Sequence, residues 1–230
     1  MFRPILSLLV SVIVSLPGAA QHWVGSAGIN YGSYSMKGLK DLQNTILQSE
    51  IPLEIVESFP SRIGFEASVL RTFGNISVGL TASKASTGGR VSYADYSGSL
   101  NHDIIVNNTL AAIQLEYILS KKESWELLFT MRNGVAFNTM KYNTTLSLGN
   151  ETDDLGAKFK STNFAVSAGV GARFFFGSVF IQPEFRYETH VAKGDLHNSN
   201  DPDVALEVNN EKVQVGWDGL RLSLSLGYRL

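Results

Sequence analysis

The last twelve residues of the chain, 219–230, alternate between polar and apolar side chains without a break. Every even-numbered residue from Leu220 to Leu230 is leucine or tyrosine, and the residues between them are arginine, serine or glycine. A period of two is that of a β-strand with two different faces. We therefore predict that the chain ends in a strand with one apolar face.

Seven further stretches with the same period predict seven more strands. The eight predicted strands cover residues 22–36, 62–73, 76–83, 108–119, 125–138, 164–174, 179–188 and 213–230. In the last of them the apolar parity changes, which predicts a β-bulge near Asp218 and Gly219. In the seventh, Pro183 has no N–H to donate, which predicts an irregular position.

The connections between these strands alternate in length. Those after the second, fourth and sixth strands are short turns, whereas four others are long. The long connections are residues 37–60, 84–107, 141–160 and 191–212. An even number of antiparallel strands with short turns at one end and long loops at the other is typical of a transmembrane barrel. The predicted fold class is therefore all-β: an eight-stranded antiparallel up-and-down transmembrane β-barrel.

A soluble lipocalin-like barrel, apolar inside and charged outside, is the alternative all-β fold. The polar faces of the predicted strands are rich in serine, glycine, alanine and threonine, with sparse charges. A solvated exterior would carry many more lysine and glutamate side chains. The composition of these faces therefore favours a narrow, crowded barrel interior in a membrane protein.

The start of the chain has the features of a secretory signal peptide. Residues 1–20 contain Arg3, an apolar run from Ile5 to Leu16 and small residues before Gln21. The remainder, 21–230, suits a single barrel domain. The absence of cysteine argues against a disulfide-stapled secreted module. A formal net charge of −2 predicts no basic patch, so we expect no nucleic-acid partner.

The chain resembles the small outer-membrane β-barrel proteins of Gram-negative bacteria, of the eight-stranded OmpA/OmpX type. The likeness covers the whole mature chain and includes its closing strand. It also includes three segments: Met-Lys-Gly-Leu-Lys-Asp-Leu at 36–42, Thr-Gly-Gly-Arg-Val-Ser-Tyr at 87–93 and Asp-Tyr-Ser-Gly at 95–98. The resemblance implies the bacterial outer membrane as the location. It implies outer-membrane lipids, the barrel-assembly machinery during insertion and other surface proteins at the external loops as partners. It implies no particular chemistry, since the class includes anchors, adhesins, small channels and a few lipid-modifying enzymes.

Ten charged residues share the strand faces that point into the predicted barrel. They are Glu66, Glu116, Glu126, Arg132, Arg173, Glu184, Arg186, Glu188, Arg221 and Arg229. An eight-stranded barrel is just wide enough for side chains to fill, and an unpaired buried charge is costly. These residues therefore predict a network of ion pairs that fills the lumen. A polar path for small ions or solutes is the alternative.

The first long connection contains a helical pattern between residues 36 and 48. Leu39, Leu42, Ile46 and Leu47 are spaced so that they share one helical face. We predict a short helix that packs on the rim of the barrel. A lid over the lumen and an element that docks a partner remain alternatives.

The sequence contains no pattern that indicates catalysis, a cofactor or a metal site. It has no nucleophile elbow and no pair of histidines with metal-ligand spacing. The predicted function is a structural or interaction role exercised through the external loops, without catalysis. A narrow channel or transporter for small solutes is the first alternative, and a lipid-modifying enzyme that uses His102 or His190 is the second.

Overall fold

The computed structural model describes residues 22–48, 51–149 and 151–230, so the predicted signal peptide lies outside the described residues. These residues form one helix and twelve strands of very different lengths. In chain order they are β1 (His22–Gly32), α1 (Lys37–Leu47), β2 (Glu54–Ser58), β3 (Arg62–Phe73), β4 (Ile76–Ala94), β5 (Gly98–Lys121), β6 (Trp125–Leu148), β7 (Glu151–Phe176), β8 (Val179–Ala192), β9 (His197–Asn198), β10 (Glu207–Val208), β11 (Glu211–Lys212) and β12 (Gly219–Arg229).

Eight of these strands close into a ring. β1, β3 to β8 and β12 each pair antiparallel with both neighbours, and β12 joins β8 to β1. Trp23 and Leu230 exchange two backbone hydrogen bonds, of 3.2 and 2.8 Å, where the two ends of the ring meet. The predicted eight-stranded antiparallel barrel is therefore confirmed. We call the end with Trp23 and Leu230 the inner end and the opposite one the outer end.

The two faces of the strands are those that the alternation predicts. On β12, Leu222 and Leu224 are 54% and 51% exposed on the outer wall, whereas Arg221 and Ser223 are buried inside. At Pro183 the pairing of β8 with β7 is irregular, as predicted: Gln182 and Pro183 have no partner on β7, and pairing resumes at Ile181. The barrel is thus apolar outside and polar inside along the ring.

Two of the four predicted loops are strands in the structure. Residues 84–107 belong to β4 and β5, which pair continuously out to Ala94 and Ser99. Residues 141–160 belong to β6 and β7, which pair out to Leu148 and Glu151. The prediction of loops was wrong because these hairpins are exposed on both sides near their tips. Their sequences therefore lack the apolar period that marks a strand.

The predicted eighth strand also starts too early, and the predicted bulge is wrong. The strand begins at Gly219, whose φ of 154° is a conformation that few other residues adopt. Val213, Val215 and Trp217 leave the barrel wall and are buried, with at most 4% of each exposed. The change of apolar parity therefore marks the point where the chain enters the ring. β1 likewise ends at Gly32, short of the predicted residue 36.

The outer end of the barrel is filled by an apolar cluster that we call the outer cap. It joins inward side chains of the ring to residues from both ends of the first connection and from the segment before β12. Its buried members are Tyr34, Met36, Leu39, Phe59, Ile104, Val106, Met140, Phe159, Leu196, Val213, Val215 and Trp217. Burial of this apolar surface is what holds the connections against the barrel.

Helix α1 packs on this cluster, as the sequence predicts. Leu39 is fully buried in the outer cap, and Leu42 and Ile46 pack against it. The side chain of Gln43 attaches the helix to β2: its Nε2 donates to the Glu57 carbonyl at 2.8 Å and its Oε1 accepts from Ser58 at 2.9 Å. In the described part of the chain, no helix is long and apolar enough to cross a membrane.

Candidate functional site: the charged interior of the barrel

Four charged side chains form a ring across the middle of the lumen. Arg132 lies 3.2 Å from Glu66 and 3.1 Å from Glu184. Arg186 lies 2.6 Å from Glu66 and 3.5 Å from Glu184. Each carboxylate therefore contacts both guanidinium groups, and at most 5% of any of the four side chains is exposed. Charges of alternating sign stabilise one another in such a ring.

A second group lies toward the inner end. Arg173 contacts Glu116 at 2.6 Å and Glu126 at 3.4 Å. Glu126 also contacts Arg229 at 3.2 Å and Lys121 at 3.4 Å. Two aromatic rings cover the guanidinium groups, since Arg173 lies 4.7 Å from the ring centre of Phe180 and Arg229 lies 3.8 Å from that of Phe175. This geometry is favourable for a cation.

The remaining pair connects the lumen to the outer cap. Arg221 lies 2.9 Å from Glu188 and also donates to the Trp217 carbonyl at 2.7 Å. Its guanidinium lies 4.5 Å from the ring centre of Tyr34, which belongs to the outer cap. On the other side of Glu188, the Nε2 atom of His190 is 3.6 Å from the carboxylate. The charged interior and the apolar cap are therefore packed as one body.

All ten charged residues singled out from the sequence lie inside the barrel, and each forms an ion pair with another of the ten. Five are glutamates and five are arginines, so their formal charges cancel. The pairs themselves were not predictable, because most partners come from strands that are not neighbours. Arg132 and Glu66, for example, are 66 residues apart and meet across the lumen.

Sequence reasoning missed several polar residues that complete this interior. Thr130 donates to Glu184 at 3.0 Å, Gln114 donates to Glu116 at 2.9 Å, and Gln182 accepts from Arg173 at 3.0 Å. Ser223 accepts from Arg186 at 3.2 Å. All four lie on inward positions of their strands, and that parity is the signal that could have found them.

Very little space remains among these side chains. The cavity lined by Glu66, Arg132 and Glu184 has a volume of about 10 Å³. This volume holds about one water molecule. The side chains around Glu66, Arg132 and Glu184 therefore leave little free space between them.

A carboxylate outside the ring of strands anchors the segment before β12. Asp218 accepts hydrogen bonds from the backbone N–H of His190 at 2.7 Å, Lys193 at 2.6 Å and Thr189 at 3.0 Å. Partial burial raises the pKa of the Asp218 carboxyl, but these three donors outweigh it and hold the pKa below its usual range. Asp218 therefore stays ionised and ties this segment to the end of β8.

The described chain is thus an eight-stranded antiparallel barrel with an apolar outer wall and an interior that contains ion pairs, the architecture of small outer-membrane β-barrel proteins. No protein-family model and no curated protein matches the chain. Among solved structures it is similar to a major outer membrane protein from Thermus thermophilus, at 12% identity, with 92% of this chain and all of that chain covered and a TM-score of 0.48. It is also similar to Ail, the attachment invasion locus protein of Yersinia pestis, in complex with the heparin analogue sucrose octasulfate, at 16% identity, 92% and 100% coverage and a TM-score of 0.40. A third is Neisserial surface protein A, at 13% identity, 93% and 99% coverage and a TM-score of 0.39.

Proposed function

We propose that the protein is a non-conducting, non-catalytic barrel of the bacterial outer membrane that acts through the strands extending beyond the membrane. The ion-paired, tightly packed interior is the observation that carries this proposal. Its ten charges are all paired and sum to zero, and the cavity at the central ring is about 10 Å³. An ion that entered this lumen would have to break charge pairs that have no replacement partners.

The outer wall supports a membrane location. Aromatic side chains form two belts on it, as interfacial girdles require. The belt near the inner end contains Trp23, Tyr117, Phe176 and Tyr228, and the belt toward the outer end contains Tyr31, Phe65, Phe137 and Tyr187; all eight are 42–67% exposed. Between the belts lie exposed aliphatic residues such as Leu80, Leu224 and Leu226. Outer-membrane lipids would surround this wall, and insertion would require the barrel-assembly machinery.

Replacing Leu224 with arginine is expected to lower the stability of the inserted barrel by about 2–4 kcal/mol, the cost of a charge on a lipid-facing position near the membrane centre. Leu224 lies midway along β12, opposite Ile29 and Pro183 on the outer wall. Urea unfolding in phosphatidylcholine vesicles measures the effect. The matched control is Leu155→Arg, because Leu155 is 73% exposed near the outer tip of β7. Equal stability of the two variants would contradict the membrane position.

The environments of the two candidate histidines support a non-catalytic role. His102 Nδ1 lies 2.8 Å from the Tyr142 hydroxyl and 3.0 Å from that of Thr144. His190 Nδ1 lies 2.7 Å from Asn163 Nδ2. Within the described residues, neither ring has a serine hydroxyl at hydrogen-bond distance. The two histidines therefore lack the serine partner that a serine-dependent lipid hydrolase uses.

The surface available to a partner is the sheet formed by the outer ends of β4 to β7. At its margin, residues 151–157 of β7 pair with β6 but with no other strand that the structure describes. An open strand edge presents backbone donors and acceptors that a partner strand can use. Glu151, Asp153 and Asp154 place negative charge along this edge, which favours a partner with basic residues.

Single-channel recording in planar bilayers tests the closed lumen. The mature protein, folded as judged by its heat-dependent gel shift, is expected to give no current steps. The double variant Arg132→Gly with Arg186→Gly, which removes the two central guanidinium groups, is expected to give them. Discrete openings of the unaltered protein would contradict the proposal and favour a narrow channel.

A further inference from the structure

Three lysines form a basic cluster on the outside of the outer hairpins. Lys141 on β6 and Lys158 on β7 are directly opposite one another, and Lys160 follows two residues along β7. Their neighbours Met140 and Phe159 are 0% and 8% exposed in the outer cap, so the alternation of the strands turns the lysines outward. Like charges directly opposite one another destabilise a strand pair. The pair Lys141 and Lys158 is therefore expected to lower the stability of the β6–β7 hairpin.

Among the residues that the structure describes, no carboxylate offsets this cost, since none lies within ion-pairing distance of the ammonium groups of Lys141, Lys158 or Lys160. Three other cations in the outer half of the protein do have a carboxylate partner. Arg62 pairs with Glu57 at 2.7 Å, Arg90 with Asp103 at 2.5 Å and Lys193 with Asp218 at 2.6 Å. The three lysines thus form a local cluster of positive charge without a carboxylate partner among the described residues.

A cleft lies beside two of these lysines. It has a volume of about 260 Å³ and is lined by Lys141, Asn143, Lys158, Asn198 and Asn200. Lysine ammonium groups and asparagine amides are hydrogen-bond donors, and an anion with several acceptor oxygens satisfies such donors together. The cleft draws its lining from both strands of the β6–β7 hairpin and from the segment that follows β8, so it is formed only in the folded protein.

From the uncompensated lysines and this cleft, we propose that residues Lys141, Lys158 and Lys160 form a binding site for a phosphate monoester. The oxygens of a dianionic phosphate placed between Lys141 and Lys158 would offset the repulsion between the two ammonium groups and attract the ligand. Sulfate esters share the tetrahedral acceptor geometry and would bind more weakly at their lower charge.

The height of the cluster permits two sources of the phosphate, and this part of the inference rests on the membrane location proposed above. Phe137, in the outer aromatic belt, is opposite Thr162, so Lys160 lies two residues beyond the belt. At about 3.3 Å per residue, Lys160 is roughly 7 Å past it along the strand, within the headgroup region of a bilayer. The phosphate of an outer-leaflet lipid can therefore reach the site, as can a soluble phosphate ester.

Isothermal titration with inorganic phosphate tests the site on the full barrel in phosphatidylcholine nanodiscs. The double variant Lys141→Gln with Lys158→Gln is expected to bind phosphate at least about tenfold more weakly, because two charge-assisted hydrogen bonds are lost. The control Lys37→Gln with Lys40→Gln removes the same charge from helix α1 and is expected to retain the affinity of the unaltered protein. Equal weakening in both variants, or no phosphate binding by the unaltered protein, would overturn the proposal.

A second measurement identifies the source of the phosphate. Native mass spectrometry counts the phosphatidic acid molecules that each variant retains from mixed phosphatidic acid and phosphatidylcholine nanodiscs. Retention that depends on Lys141 and Lys158 supports a lipid headgroup, and phosphate binding without such retention supports a soluble ester. Titration of the detergent-folded barrel separates this inference from the proposed function, because phosphate binding there does not depend on membrane insertion or on a closed lumen.

Discussion

Replacing Arg132 with methionine is expected to lower the free energy of unfolding by about 3–5 kcal/mol, the cost of breaking a buried ion pair. Arg132 contacts both Glu66 and Glu184, and its side chain is 4% exposed. Without it, Arg186 is the one cation left between two buried carboxylates in the central ring. The excess negative charge is not solvated by bulk water, so it raises the free energy of the folded barrel.

Urea unfolding of the barrel in phosphatidylcholine vesicles, followed by tryptophan fluorescence, measures this loss. The matched control is Arg62→Met: Arg62 also pairs with a glutamate, Glu57, but the two side chains are 47% and 40% exposed. An exposed pair contributes about 0–1 kcal/mol. Adding Glu66→Gln to Arg132→Met restores neutrality and is expected to recover part of the stability. If Arg132→Met cost no more than Arg62→Met, the central ring would not be a buried network.

Replacing Trp217 with alanine is expected to destabilise the outer cap by about 3–5 kcal/mol, as for other large aromatic residues removed from a core. Trp217 is 1% exposed, and its ring meets that of Tyr34 edge to face at 4.6 Å. The indole Nε1 has no hydrogen-bond partner among the described residues, so the loss would come from packing alone. The segment from Lys193 to Asp218 is expected to become sensitive to protease, because its apolar anchors pack around Trp217.

Far-UV circular dichroism in urea and limited proteolysis together measure this effect. Trp23→Ala is the matched control, since Trp23 is 42% exposed on the outer wall near the inner end. Its loss is expected to leave the protease resistance of the outer segment unchanged. If the two variants became equally sensitive, Trp217 would not be an anchor of the cap.

The alternation of side chains predicted the faces of the barrel strands correctly, but it did not predict where several strands begin and end. Alternation along each strand correctly separated Leu222 from Arg221 and placed all ten charged residues on the inner side. The same rule failed at residues 84–107 and 141–160, where β4 to β7 continue as hairpins with polar residues on both exposed faces. It also failed at Val213, Val215 and Trp217, whose alternation reflects burial in the outer cap.

The sequence by itself determined that the chain forms an eight-stranded barrel, which face of each strand is apolar and that α1 is a helix. These properties depend on residues close together in the chain, so their periods of two and of 3.6 are visible in it. The tertiary structure alone decided that Arg132 meets Glu66, that Trp217 enters the outer cap and that Lys141 lies opposite Lys158. Such contacts depend on the register of strand pairs and on the closure of the ring, which bring together residues distant in sequence.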